Sequence, residues 1–215
     1  MECFKTNNID RLFLLIFHIL EYRIRSMDLS PQDVVVGLKL LTAGYKHWTY
    51  AQLGQELGLS PSQVFRSVER AEAVRLLDPN LRSVPPPPSL EARSQDRPVL
   101  PWPNRANLKE FLIHGVKYAF PAYRGGIVRG IPTAHAAPPL NQQFAGSSDP
   151  PPVWPDADGK VRGLEFSPLY KNVPAAARRD QKLYELLALV DAIRDGRARE
   201  REIAVRELTA RIDEQ

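Results

Sequence analysis

Four residues in one short stretch, Ser62, Gln63, Arg66 and Arg70, have the chemistry to read the edges of base pairs. An arginine guanidinium can place two hydrogen bonds on guanine O6 and N7, and a glutamine amide can do the same to adenine. If Val64, Val68 and Ala71 form the buried side of a helix over 61–74, these four side chains lie on the other side. Around them, Lys46, Thr49, Tyr50 and Ser60 sit at helix starts, where hydroxyls and backbone N–H groups hold phosphates, and Arg82 follows in a short ribbon. Plainer readings stand beside these. Gln63 is also the reciprocal cap of Ser60, and Arg66 and Arg70 could pair with Glu69 or Glu72 on a solvated face.

The elements that must position them are legible in the capping signals. Ser30-Pro31-Gln32-Asp33 reads as a helix start, with a hydroxyl N-cap, proline at the first helical position and an acid in the first turn. Val34, Val35, Leu38 and Leu41 follow at helical spacing, and Gly44 supplies a stop. Thr49-Tyr50-Ala51-Gln52 is a capping box opening a short helix that carries Leu53 and Leu57 and ends at Gly58. Ser60-Pro61-Ser62-Gln63 opens a third. Leu76 to Val84 suggests two short strands about a turn at Asp78-Pro79-Asn80. The helix–Gly58–helix order, with Gly54 allowing close approach and Leu59 plugging the angle, holds the second helix steeply with its N-terminus protruding.

Together, Thr49-Tyr50-Ala51-Gln52-Leu53-Gly54-Gln55-Glu56-Leu57-Gly58-Leu59-Ser60-Pro61-Ser62-Gln63-Val64-Phe65-Arg66-Ser67-Val68 resembles the winged helix-turn-helix regulators, most like the MarR-type and related bacterial repressors. The resemblance covers residues 28–84. It implies a recognition helix in the major groove of double-stranded DNA and a homodimer reading a palindromic operator. An interaction module, such as an antitoxin or adaptor using the winged helix for autoregulation or docking, is the alternative.

Beyond this unit the chain changes character. Of 20 prolines, all but Pro31 and Pro61 fall between Pro79 and Pro174, so this zone is no helical array. Residues 85–103, with Pro85-Pro86-Pro87-Pro88, read as a flexible polyproline II insertion. A helix follows over Asn107–Lys117, with Leu108, Phe111, Leu112 and Val116 on one face and His114 expected in the core. Tyr118 to Pro152 reads as loop, in which Arg124, Arg129 and His135 among glycines could form a ligand or anion pocket, though a loop laid over the core is favoured. Val153-Trp154 and Val161 to Phe166 suggest a hairpin. From Ala175 an αα-hairpin carries Leu183, Leu186, Leu187, Val190 and Ile193, then Ile203, Val205, Leu208 and Ile212, either packed on its own domain or used for dimerisation or partner binding. The expected fold is mainly α with small β elements: winged helix-turn-helix (27–84), Pro-rich insertion (85–103), loop-rich α+β region (104–174) and helical hairpin (175–215).

Composition narrows the function classes. With 29 basic against 25 acidic residues, net +4, the chain is no polycation, so any DNA binding must rest on a few placed groups. A single cysteine, Cys3, excludes an internal disulfide or thiolate zinc cluster and fits a cytoplasmic home. The four histidines lack metal spacing, and Asp156-Ala157-Asp158-Gly159 opens like a calcium loop but lacks the downstream acid, so no metal or cofactor is expected. No nucleophile–base pair stands out, and an enzyme is not expected. Leu12 to Leu20 is apolar for only half a membrane span, and no cleavage site follows. Residues 1–26 read as a leader, either upstream of a true start at Met27 or forming an extra amphipathic helix.

Overall fold

The computed structural model describes residues 28–44, 48–78, 80, 100–144 and 149–214. The leader, Lys46, Arg82 and most of the Pro-rich stretch lie outside the described residues. Among the described residues the fold is mixed α/β, about 58% helical, with a small sheet.

The three capping signals each open a helix. α1 (Pro31–Thr42) follows Ser30, whose backbone N–H donates to the Asp33 carboxylate at 2.8 Å. α2 (Tyr50–Leu57) and α3 (Pro61–Ala73) each begin with a reciprocal capping box. Because α1 is buried on nearly every side, with Val34, Val36, Leu38 and Leu41 fully enclosed, it is the inner helix of this group. Next, β1 (Leu77–Asp78) pairs antiparallel with β2 (Trp102–Pro103), Leu77 opposite Pro103 and Asp78 opposite Trp102. Among the described residues β1 finds its partner beyond residues 79–101; the expected second strand of the ribbon, at Leu81–Val84, lies outside the described residues. This pairing corrects the expected insertion, whose last residues belong to the fold: Leu100 is buried and Trp102–Pro103 is a strand. The Asn104 N–H donating to the Leu76 carbonyl at 2.9 Å fixes the junction.

α4 (Arg105–Glu110), a π-helical turn (Phe111–Gly115) and α5 (Val116–Ala119) run on as one rod, burying Leu108, Leu112 and Val116. His114, two positions from both Leu112 and Val116 and so turned away from their face, is exposed, contrary to the expected core position. The stretch expected as loop contains β3 (Arg124–Pro132). β3 pairs antiparallel with β4 (Pro152–Pro155) through its C-terminal end, and with β5 (Val161–Phe166) along the rest. The expected hairpin is therefore absent: β4 and β5, both antiparallel to β3, run parallel to each other and close a three-stranded ring. Glycines permit the tight closure, since a Cβ on Gly130 or Gly163 would lie 2.0 Å from the carbonyl oxygen of Trp154 or Pro151.

α6 (Val173–Arg179), α7 (Gln181–Asp195) and α8 (Ala198–Glu214) complete the chain. Every residue of α7 from Leu186 to Arg194 is buried, so the first arm of the expected hairpin packs on its own domain, as the central core helix on which α1, α5, α6 and α8 pack. One apolar cluster runs from Val34 to Ile212. Beside it lies a polar network. The Asp191 carboxylate accepts from Thr133 Oγ1 (2.8 Å), Trp154 Nε1 (2.6 Å) and Arg194 Nη1 (2.6 Å), while Arg194 also donates to the carbonyls of Phe120, Pro121 and Ser167. Burial pushes the Asp191 carboxyl upward in pKa, opposed by Arg194 and these donors.

Candidate nucleic-acid interface

The α2–α3 corner is built from local chemistry. The Thr49 hydroxyl accepts from the Gln52 N–H at 3.2 Å, and the Gln52 side-chain oxygen accepts from the Thr49 N–H at 3.1 Å. Gly58 ends α2 with φ of 66°, a left-handed conformation that a β-carbon opposes. The Leu59 N–H then reaches back to the Gly54 carbonyl at 2.7 Å, and a Cβ on Gly54 would lie 2.5 Å from the Leu59 oxygen. The end of α2 is also gripped from outside: Asn172 Nδ2 donates to the Gly58 carbonyl (2.5 Å), and Arg179 donates to the carbonyls of Gln55 (2.6 Å) and Glu56 (3.2 Å). Carbonyls that a helix C-terminus leaves without partners are thus satisfied by α6 and its cap. Lys39, buried in α1, adds ion pairs to Glu56 of α2 (3.2 Å) and Asp180 at the α7 N-cap (2.9 Å). The corner is therefore fixed to the core helix.

On α3 the expected base-reading residues fare differently. Ser62 and Arg66 are exposed, and among the described residues Arg66 has no ion-pair partner. Ser62 Oγ lies 3.1 Å from Ser60 Oγ. Gln63 is exposed, but its side-chain oxygen accepts from the Ser60 N–H at 2.9 Å, leaving only the amide NH2 for a ligand. Arg70 departs from the expected role. Its Nε and Nη2 grip the two oxygens of Asp33 at 2.8 and 2.6 Å, with the Asp33 side chain wholly buried. The hydrogen bond to Asp33 raises the Arg70 pKa further. Arg70 is a strut between α1 and α3, not a base reader, because its guanidinium is turned inward to satisfy a buried carboxylate. Sequence reasoning missed Asp33 in this role, since its only local signal was as a first-turn acid.

Among the expected phosphate contacts, Thr49 and Ser60 spend their hydroxyls on caps, as described, while both stay near the surface. The Tyr50 ring meets Phe65 edge-on at a centroid distance of 5.6 Å. Burial, then the charges of Glu72 and Glu69, raise the Tyr50 phenol pKa. Phe65, an apolar residue of the motif with no expected site role, is 45% exposed beside Arg66, and Val74 is 42% exposed at the far end of the helix.

The less favoured alternative for this stretch, an anion pocket on Arg124, Arg129 and His135, gains no support from the described contacts. Arg124 pairs with Asp195 at 2.5 Å at the end of α7, and His135 Nδ1 lies 3.5 Å from Glu200 on α8. Arg129 stands between them on the exposed side of β3. Arg124 and Arg129 lie five residues apart along β3, roughly 16 Å at about 3.3 Å per residue, and His135 sits beyond the strand in a short helical turn. Asp156 and Asp158 form a turn, with the Asp158 N–H on Asp156 Oδ1 at 2.8 Å and Arg178 against both carboxylates. No group of three or more His, Cys, Asp or Glu side chains among the described residues is arranged to hold a metal. Nor is any described helix long and apolar enough to cross a membrane. Comparison with known proteins adds no relative to this geometry: no protein-family model, no curated protein and no solved structure matches the chain.

Proposed function

We propose that the chain binds double-stranded DNA as a winged helix-turn-helix regulator, with α3 in the major groove. The observation that carries this reading is the α2–α3 corner. Its left-handed Gly58, the Leu59–Gly54 hydrogen bond and the external grips on the α2 carbonyls present a capped, exposed α3 N-terminus carrying Ser62, Gln63 and an Arg66 with no ion-pair partner among the described residues. The β1–β2 ribbon takes the place of the wing, and Arg66 is the leading base reader. Repression would be steric, by a cytoplasmic homodimer occupying an operator. The test is capture of genomic fragments by the full chain across a salt series, with Arg66→Ala alongside. Losing one bidentate arginine should weaken a specific site by about 1–3 kcal/mol and relax its sequence requirement. Uniform retention unchanged by the substitution, or no retention, would refute base reading by α3.

A second reading, docking of a protein partner on the same helix, is favoured by the exposure of Phe65 and Val74 and by Glu69 and Glu72 flanking Arg66. A stoichiometric partner lost on Phe65→Ala, but retained on Arg66→Ala, would select it.

A further inference from the structure

The outer side of the β3–β5 pair carries an arrangement the helix reading does not use. Arg129 stands directly opposite Arg162, and Ile127 directly opposite Leu164. Directly opposite residues of an antiparallel pair project from the same side, so the two guanidiniums share one patch with the two aliphatic side chains. Arg129, Arg162 and Ile127 are exposed, as is Lys160, two residues before Arg162. Among the described residues neither guanidinium has an acceptor, and Lys160 has none either.

Three other exposed arginines of the second half of the chain do have acceptors. Arg124 pairs with Asp195, Arg178 with Asp156 and Arg197 with Asp149. Like charges set directly opposite destabilise a strand pair, so Arg129 and Arg162 repel each other unless an anion lies between them. The carboxylates of the adjoining turn do not supply that anion, because Arg178 already engages Asp156 and Asp158. The patch is an open sheet surface, which suits an extended polyanion better than an enclosed small ion. Guanidiniums match phosphodiester oxygens with paired N–H donors.

We propose that this sheet surface holds the phosphate backbone of nucleic acid through Arg129 and Arg162, with Lys160 beside them. The contact is independent of base reading by α3. α6 braces both regions, since Arg179 bonds the end of α2 while its neighbour Arg178 bonds Asp156 in the β4–β5 turn. The patch thus moves as one piece with the helix corner.

The experiment measures binding of the full chain to labelled duplexes of unrelated sequence across a salt series, for the wild type, Arg129→Ala/Arg162→Ala, Arg66→Ala and Arg197→Ala. Each phosphate contact contributes close to one unit to the slope of log affinity against log salt, so the double variant should show a slope shallower by about two on every duplex. Arg197→Ala, which removes a guanidinium already paired, should leave the slope unchanged. In the absence of DNA the double variant should melt no lower than the wild type, since a repulsive pair has been removed. A wild-type slope in the double variant, an equal loss in Arg197→Ala, or a wild type that binds no duplex would overturn the proposal. Loss of sequence preference in Arg66→Ala with the slope effect absent would leave the α3 reading standing and remove this one. The reverse pattern would remove the α3 reading alone.

Discussion

Replacing Arg70 by alanine leaves the Asp33 carboxylate buried without its guanidinium. The geometry sets the size of the effect. Two charge-assisted hydrogen bonds, at 2.8 and 2.6 Å, join the pair; the Asp33 side chain is 0% exposed, and that of Arg70 is 19% exposed. Such bonds contribute about 1.5–3 kcal/mol each, and removing one partner of a buried pair costs about 3–5 kcal/mol. The Ser30 N–H still bonds Asp33, and water can reach the vacated edge, which places the loss at about 3 kcal/mol. For a chain of this size that is a fall of roughly 6–12 °C in Tm, or a lower urea midpoint at unchanged slope. Arg66→Ala, an exposed change on the same helix, should stay within about 0.5 kcal/mol of wild type. Completing the cycle with Asp33→Ala and the double variant should return a coupling of at least about 1 kcal/mol. If Arg70→Ala unfolded at the wild-type midpoint yet lost DNA binding, the strut assignment would be wrong and Arg70 would return to the reading face.

Further outcomes follow from other sites. Gly54→Ala should destabilise the protein by about 2 kcal/mol or more, because the new Cβ would lie 2.5 Å from the Leu59 oxygen, and calorimetry should show it. Burial pushes the Asp180 carboxyl up, but hydrogen bonds from Lys39, the Leu183 N–H and Thr42, with the Lys39 charge, hold it below the ordinary aspartate value. Its stabilisation should be complete above about pH 4 and vanish as pH falls through the depressed folded value, so Asp180→Asn should flatten the acid limb of a urea-midpoint profile. Burial raises the Tyr184 phenol to about 12, its hydroxyl donating to the Pro132 carbonyl. Stability should fall as pH rises from about 10 toward that value, and Tyr184→Phe should weaken this alkaline loss, followed by tyrosinate absorbance.

What the sequence disclosed was local. Ser30, Thr49 and Ser60 start helices because a side-chain oxygen and an N3 partner lie within four residues of each other, and Gly58 ends one through its own backbone freedom. Non-local partners were hidden. The strand partner of Leu77 lies at the far end of the Pro-rich stretch, and nothing near Leu77 marks Pro103 as its neighbour. Glycines and prolines made Arg124–Pro132 look like a loop, although those glycines are what let three strands close on one another. Arg70 carried two readings until its partner 37 residues upstream was visible. In the same way Arg129 and Arg162 became neighbours only through strand register.

The burial of α7 has a consequence for how the chain is made. The inner helix α1 packs against α7, so its apolar sides wait for a platform that begins at Gln181. At about 5–20 residues per second, the roughly 140 residues between them take about 7–30 s to synthesise. During that interval α1 has α3 and β2 to pack on but lacks the platform of α7. The helix corner that carries the proposed reading head thus acquires its support last, so an incomplete chain emerging from the ribosome presents the α3 sequence without a rigid mount.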